Sequence, residues 1–348
     1  MSNSYDAILI VSFGGPEGMD DVMPFLENVT RGRNVPRERL MTVAHHYEMF
    51  DGVSPINGQN RQIIAELKAE LEKHGPPLPI YWGNRNWQPF LADTLAQMKQ
   101  DKIKNAIAFV TSAYSSYSSC RQYLDDIQRA LEPLGDDAPK VNKIRSFYNH
   151  PLFIEANAEQ MQSIIEAIPG ETSPETAIAF TAHSVPMSMS TGCKYIEQLN
   201  EACQLVADKC GMHNWQLVYQ SRSGPPSIPW LEPDILEHIK TLHSQGVKEL
   251  IIHPIGFVSD HMEVIYDLDH EAKALCDELG IAMHRVKTAG TTHKFIEMIR
   301  ELILERIEGS QPRFVGTMGA VPDDCPPECC PLGMTRPATA HAAREQKQ

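Results

Sequence analysis

Glu249-Leu250-Ile251-Ile252-His253-Pro254, followed by Phe257-Val258-Ser259-Asp260-His261-Met262-Glu263-Val264-Ile265-Tyr266-Asp267-Leu268-Asp269-His270-Glu271, decides how this chain folds. The first run is short, apolar and rich in β-branched residues, as in a strand buried on both faces. The second reads as a loop opening a helix over 261–279. On that helix Glu263, Asp267 and Glu271 recur at i, i+4 and i+8, so three carboxylates line one face. Like charges at that spacing cost a few tenths of a kcal/mol per pair on an exposed helix. A cation travelling along the face would remove that cost. Taken alone, the row reads as a solvated acidic face. A second polar segment, Thr181-Ala182-His183-Ser184-Val185-Pro186, changes the weighting.

The strand–helix rhythm extends outward in both directions. Apolar runs at 7–13, 80–83, 106–111, 141–147, 176–182, 216–220, 249–254 and 282–286 predict strands. Amphipathic stretches at 20–28, 57–74, 89–100, 118–131, 151–168, 194–210, 233–244, 261–279 and 292–309 predict helices. That alternation specifies an α/β class with two Rossmann-like domains, each a parallel sheet flanked by helices, and a cleft between them. The expected division is 1–149, 150–310 and a tail 311–348, with the last helix packing back onto the first domain. Ligands of open α/β sheets bind at the carboxyl ends of the strands. That rule gathers 13–16, 112–120, 183–186 and 257–263 around one cleft.

Composition sets the outer limits. A chain of 348 residues exceeds what one core usually holds, and 42% hydrophobic with 22% charged residues is ordinary for a soluble protein. No apolar run approaches the roughly 18 residues of a membrane span. The N-terminus lacks the basic region of a signal sequence, so the expected location is the cytoplasm, with the eight cysteines reduced. A formal charge of −14 argues against nucleic acid as a partner.

His183 falls at the end of the predicted strand 176–182, where a histidine meets the cleft. Its imidazole can accept a proton at cell pH or bind a borderline metal. Pro186 keeps Val185 extended. His183 and Glu263 thus converge from two strand ends as a base and a carboxylate. The Gly14-Gly15-Pro16 turn lacks the G-x-G-x-x-G spacing of a nucleotide site.

Phe13-Gly14-Gly15-Pro16-Glu17, Gly52-Val53-Ser54-Pro55, Ala182 to Pro186, Gln220-Ser221-Arg222-Ser223-Gly224 with Pro229-Trp230-Leu231, and Phe257 to Glu263 together resemble the ferrochelatases. The resemblance runs in register from about residue 5 to 310. It implies the chelatase-like fold of two Rossmann-like domains without a nucleotide. It also implies insertion of ferrous iron into a porphyrin, in haem biosynthesis. The family's catalytic, metal-handling histidine and glutamate fall on His183 and Glu263, and its iron route on Asp267 and Glu271. The resemblance leaves open which of the pair takes the protons. Iron insertion must release two pyrrole N–H protons, and imidazole with carboxylate suits loosely held ferrous iron better than a thiolate cage. A site favouring a buckled ring would favour the transition-state shape.

Phe13, Val29, Tyr47, Ser54, Ile56, Tyr117 and Trp230 are implied porphyrin contacts, and Arg31, Arg33 and Arg85 candidate propionate partners. Two positions depart from some relatives. Phe13 replaces a tyrosine, which removes an axial phenolate, and His46 replaces a basic residue beside Tyr47. The short basic Thr30-Arg31-Gly32-Arg33 segment resembles bacterial coproporphyrin enzymes, which favours coproporphyrin III over protoporphyrin IX as substrate. Transient contact with other haem-pathway enzymes is a further implication.

Cys193, Cys203, Cys210 and Cys276 lie in helical patterns and read as small hydrophobes. Cys325, Cys329 and Cys330 crowd into the otherwise aperiodic tail, a spacing no packing need requires. Three thiols are one short of a tetrathiolate site. Some ferrochelatases hold a 2Fe–2S cluster with three C-terminal cysteines and one in a Tyr/Ser-rich segment. Tyr114-Ser115-Ser116-Tyr117-Ser118-Ser119-Cys120 resembles that segment, making Cys120 the fourth ligand. Structural zinc and an unligated thiol group remain alternatives. At the level of function, the alternatives are a cobalt chelatase for a related tetrapyrrole and a non-catalytic haem or iron sensor.

Overall fold

A computed structural model describes residues 4–332 apart from 34, 170–175, 225–226 and 327. The end of the expected tail therefore lies outside the described residues. Eight strands form two four-stranded sheets: β1 Ala7–Ser12, β2 Ile80–Asn84, β3 Asn105–Val110 and β4 Lys140–Lys143, then β5 Ala177–His183, β6 Trp215–Gln220, β7 Glu249–His253 and β8 Ala282–Arg285. Their orders are β2-β1-β3-β4 and β6-β5-β7-β8, and every pairing is parallel. In each sheet the chain leaves the first strand to one side and returns on the other. The carboxyl ends of β1 and β3, and of β5 and β7, therefore flank the points where strand order reverses, the places where such sheets bind ligands.

Alternation along each strand sorts side chains between layers. Ile8, Ile10, Ile107 and Phe109 of the first sheet share a single core with Phe180 and Ile251 of the second, and with Phe147, Phe153 and Phe295. Phe109 stacks on Phe147 with ring centroids 5.1 Å apart. The opposite faces carry separate cores, Leu9, Val11, Leu91 and Ile127 on one sheet and Ala179, Val218, Ile239 and Ile252 on the other. Burying each such side chain contributes about 1.5–3 kcal/mol. One shared core therefore holds the two sheets in fixed relation.

The last helix, His293–Glu308, returns to the first half. Arg300 donates from Nε to Gly75 O and from Nη2 to His74 O, both at 2.9 Å. After it, the described residues of 310–332 form neither helix nor strand, and several of them are hydrogen-bonded to the body of the protein. Val315 N reaches Asn149 O at 2.9 Å, Asn149 Nδ2 reaches Gly319 O at 2.8 Å, and Arg145 N reaches Asp323 Oδ1 at 3.0 Å.

Three local expectations change. The run 141–147 leaves the sheet after Lys143, continuing as buried coil. Helix Arg37–Glu48 is additional: only its Leu40 and Tyr47 are buried, so its sequence has almost no apolar stripe. The third concerns the two segments expected as plain α-helix beside the site. Tyr117–Arg121 and Ile265–Ala272 are wound as π-helix, with i→i+5 bonding, a geometry that often marks functional sites. No helix among the described residues is long and apolar enough to cross a membrane.

Candidate active site

His183 is the last residue of β5, and Glu263 lies in the first turn after the β7 loop, so both stand at the second sheet's reversal point. His183 Nε2 is 3.4 Å from Glu263 Oε2. Its Nδ1 lies 2.5 Å from Ser184 O, a contact that fixes Nδ1 as the donor and leaves Nε2 for chemistry. Tyr195 OH donates to the His183 carbonyl at 3.2 Å. Burial alone would lower the pKa of His183, but the Glu263 carboxylate, the Ser184 carbonyl and Asp267 lift it to about 9. Burial would raise Glu263, yet His183 and His261 hold it down at about 2. The resting pair is imidazolium and carboxylate.

His261 is a site neighbour that the sequence reading left without a role. Its Nδ1 is 4.0 Å from Glu263 Oε2, its ring packs 5.1 Å from Phe257, and burial lowers its pKa. Its signal was proximity, two residues before Glu263. Gln220 and Ser221, at the end of β6, were likewise quoted only as motif. The Ser221 hydroxyl and Gln220 Nε2 both donate to Asp267 Oδ2, the latter at 3.2 Å.

The carboxylate row keeps its order through the π-turns. Burial raises Asp267 to about 7, with Glu263 and Glu271 adding repulsion against the Ser221 and Gln220 hydrogen bonds. Glu271 is also raised, by burial first and then by Asp234 against His270. Below pH 7 the Asp267 carboxyl is mostly neutral and attracts a divalent ion weakly; above it, the anion dominates. Apparent affinity for ferrous iron should therefore rise about tenfold from pH 6 to pH 8, following the ionised fraction. Steady-state iron titrations at saturating porphyrin would test this. An equally steep rise in Asp267→Asn would assign it elsewhere.

The apolar wall comes from the first half. Phe13, just past β1, meets Phe25 edge-on at 6.2 Å, and Phe25 meets Tyr47 at 6.3 Å. Tyr47 is buried, and its hydroxyl is held neutral by burial and by Glu263. Val29 joins the same cluster, which closes on Met262, Ile265 and Tyr266 of the second half. Tyr266 stacks on His46 at 3.8 Å and 3°, another contact the sequence did not disclose. Ser54 is buried against Gly15: a Cβ on Gly15 would lie 2.7 Å from Ser54 Cβ, so the turn is glycine for close packing. Tyr117 opens the first π-turn, and Trp230 bridges backbone to Pro186 beside the His183 loop.

Of the arginines, Arg31 and Arg33 are exposed, and Arg31 Nη2 donates to Asn28 Oδ1. Arg85 is committed elsewhere. Its Nε pairs with Asp126 Oδ2 at 2.5 Å, and its guanidinium lies 5.7 Å from the Phe13 ring and 4.4 Å from Tyr123. Its side chain is 5% exposed, so it braces the wall rather than offering a free cation.

The tail brings its thiols towards Cys120. Cys329 Sγ and Cys330 Sγ are 3.5 Å apart and Cys325 Sγ lies 4.0 Å from Pro322 O; burial, Cys329 and Cys120 together push the Cys325 thiol up to about 11. Among the described residues no three His, Cys, Asp or Glu side chains form a ready-made set for a metal ion.

Comparison with known proteins gives the family. A model of the family described as Ferrochelatase matches residues 5–307. A protein of Rhodopirellula baltica named "Ferrochelatase" is 54% identical over 338 residues, covering 97% of this chain and 96% of that protein. A "Coproporphyrin III ferrochelatase" of Streptomyces coelicolor is 47% identical over 364 residues, covering 98% and 97%. Among solved structures, SirB from Bacillus subtilis with Fe3+ superposes with a TM-score of 0.55 at 11% identity, covering 90% of this chain and 100% of that one. That last likeness shows the fold alone.

Proposed function

The chain belongs to the ferrochelatase family, enzymes that insert iron into a porphyrin, and from that premise we propose coproporphyrin III as its substrate and His183 with Glu263 as its catalytic pair. The observation that carries the site is the 3.4 Å contact between His183 Nε2 and Glu263 Oε2 at the strand ends, with Asp267 and Glu271 leading away from it. An imidazolium cannot accept a proton, so His183 must first release its own. Ferrous iron arriving beside Glu263 repels that charge and drives the proton off. Having passed its own proton to water, the neutral Nε2 takes the two pyrrole N–H protons one at a time, releasing the first to water before it accepts the second, while Glu263 and the row behind it hold the metal as its waters are exchanged.

Coproporphyrin carries four propionates and protoporphyrin two. Exposed Arg31 and Arg33 at the rim, together with relatives named for the coproporphyrin reaction, support the former. Phe13, Val29, Tyr47, Ser54, Tyr117 and Trp230 would supply the contacts to the ring. Turnover of the two porphyrins, compared side by side, should favour coproporphyrin III at least tenfold in kcat/KM, about 1.4 kcal/mol. Equal or reversed preference would overturn the substrate assignment and leave the family intact.

The same reading divides the chain at 149/150, places the protein in the cytoplasm and allows transient contact with haem-pathway enzymes. It also places a 2Fe–2S cluster on Cys325, Cys329, Cys330 and one internal cysteine, for which the family resemblance nominates Cys120. What supports that reading is the 3.5 Å approach of the Cys329 and Cys330 thiols, although among the described residues the four cysteines do not stand as one ligand set. When bound, such a cluster supplies a cross-link whose binding energy becomes folding energy.

A further inference from the structure

His183 and Glu263 meet only while the ends of β5 and β7 keep their places, and two buried tyrosines reach those ends. Tyr195, the first residue of helix Tyr195–Lys209, is 3% exposed and donates its hydroxyl to the His183 carbonyl at 3.2 Å. Tyr114, on the loop after β3 in the other half, is 1% exposed and donates to the Ile255 carbonyl, just past β7, at 2.9 Å. The two rings meet edge-on, with centroids 6.2 Å apart at 90°. One aromatic pair therefore ties down both strand ends.

Ile255 matters because the next residue lies directly on β5. Gly256 N donates to Thr181 O at 3.0 Å, and a Cβ on Gly256 would lie 2.6 Å from Ala182 Cβ. The chain running on to Glu263 thus presses on β5 one residue before His183. The peptide joining His183 to Ser184 is held on both sides, its carbonyl by Tyr195 and its N–H by Gln220 O at 2.8 Å. Rotation of that peptide would carry the imidazole away from Glu263. Gln198, one turn beyond Tyr195, accepts from Ser115 N at 2.7 Å and donates to Ser115 Oγ at 3.0 Å, so the same helix also locks the residue after Tyr114.

We infer that Tyr195 and Tyr114 are positioning residues for iron insertion, their hydroxyls acting through the backbone to hold His183 Nε2 and Glu263 Oε2 at 3.4 Å. The inference rests on the assignment of that pair given above. Any buried hydroxyl needs a partner, but here both partners are carbonyls of the two segments that carry the pair. Tyr148 gives the contrast. It is buried in the same aromatic cluster, 6.0 Å from Tyr114, and its hydroxyl goes to Glu201 Oε2 at 2.9 Å, a side chain with no bond to either strand end.

The test compares Tyr195→Phe, Tyr114→Phe and Tyr148→Phe with wild type and His183→Ala. Each phenylalanine keeps its ring and loses one hydrogen bond, so all three should lose similar thermal stability. In the first two, kcat should fall about tenfold while KM for porphyrin stays within about twofold, because small displacements of reacting groups cost rate rather than binding. Tyr148→Phe should keep the wild-type kcat. By NMR, the proton on His183 Nδ1 should exchange with water faster in Tyr195→Phe than in wild type or Tyr148→Phe. Gln198→Met, which frees Ser115 and leaves both tyrosines, should lower kcat in the same way and serves if a tyrosine variant fails to fold. Wild-type kcat in either Tyr195→Phe or Tyr114→Phe would overturn the inference and leave the pair assignment standing. So would an equal loss in Tyr148→Phe. His183→Ala turning over at the wild-type rate would overturn the pair assignment and the inference with it.

Discussion

His183→Ala and Glu263→Gln should each lower kcat for iron insertion by about 10²- to 10⁴-fold, the range of a lost general base or its partner. The Michaelis constant for porphyrin should hardly move. On the proposed reading the ring is held by Phe13, Val29, Tyr47, Tyr117 and Trp230, none of which either substitution replaces. An effect confined to kcat marks an interaction made in the reacting complex rather than in substrate binding. Glu263→Gln carries a second signature. Without the carboxylate, burial should govern His183 and its pKa should drop from about 9 to below the ordinary histidine value. Histidine NMR titration would register that drop even in inactive protein. If either variant turned over at near-normal rates, that residue would leave the mechanism.

The second large effect is on stability, and it arises far from the chemistry. Arg145 is 1% exposed, and its guanidinium binds Glu305 twice, Nε to Oε1 at 2.7 Å and Nη2 to Oε2 at 3.1 Å, with a further bond to Arg313 O at 2.8 Å. Arg145→Ala would leave Glu305, itself only 12% exposed, as a buried anion without its partner. Breaking such a pair from one side costs about 3–5 kcal/mol, more than most single substitutions. The double variant Arg145→Met with Glu305→Leu should recover most of that loss, because no stranded charge remains. Thermal and denaturant midpoints of the three proteins would check it. A single variant as stable as wild type would show that the Arg145–Glu305 pair adds nothing net to holding the tail and last helix.

Much of this molecule was legible along the chain because the physical cause was local. Eight apolar runs became eight strands, displaced by a residue at their ends except that the fourth stops four residues early at Lys143, since burial on both faces leaves an unbroken hydrophobic signature. Helix 56–74 and the last helix announced themselves by their stripes. The acidic row at Glu263, Asp267 and Glu271 needed only its spacing. Other features have no local cause. Helix Arg37–Glu48 escaped because two buried residues make no pattern, although one of them, Tyr47, reaches the neighbourhood of Glu263. Strand order escaped because a parallel crossover can return on either side of its starting strand. The electrostatics escaped most completely. His183, Glu263 and Asp267 have ordinary reference pKa values in the sequence, and they move only when folding removes water and sets each beside the others. Arg85 looked like a free cation and became a brace once Asp126 faced it. Sequence determined which segments hide from water and which residue types could handle iron. Tertiary structure alone decided their partners, because partnership depends on distance in space and on the dielectric that burial creates.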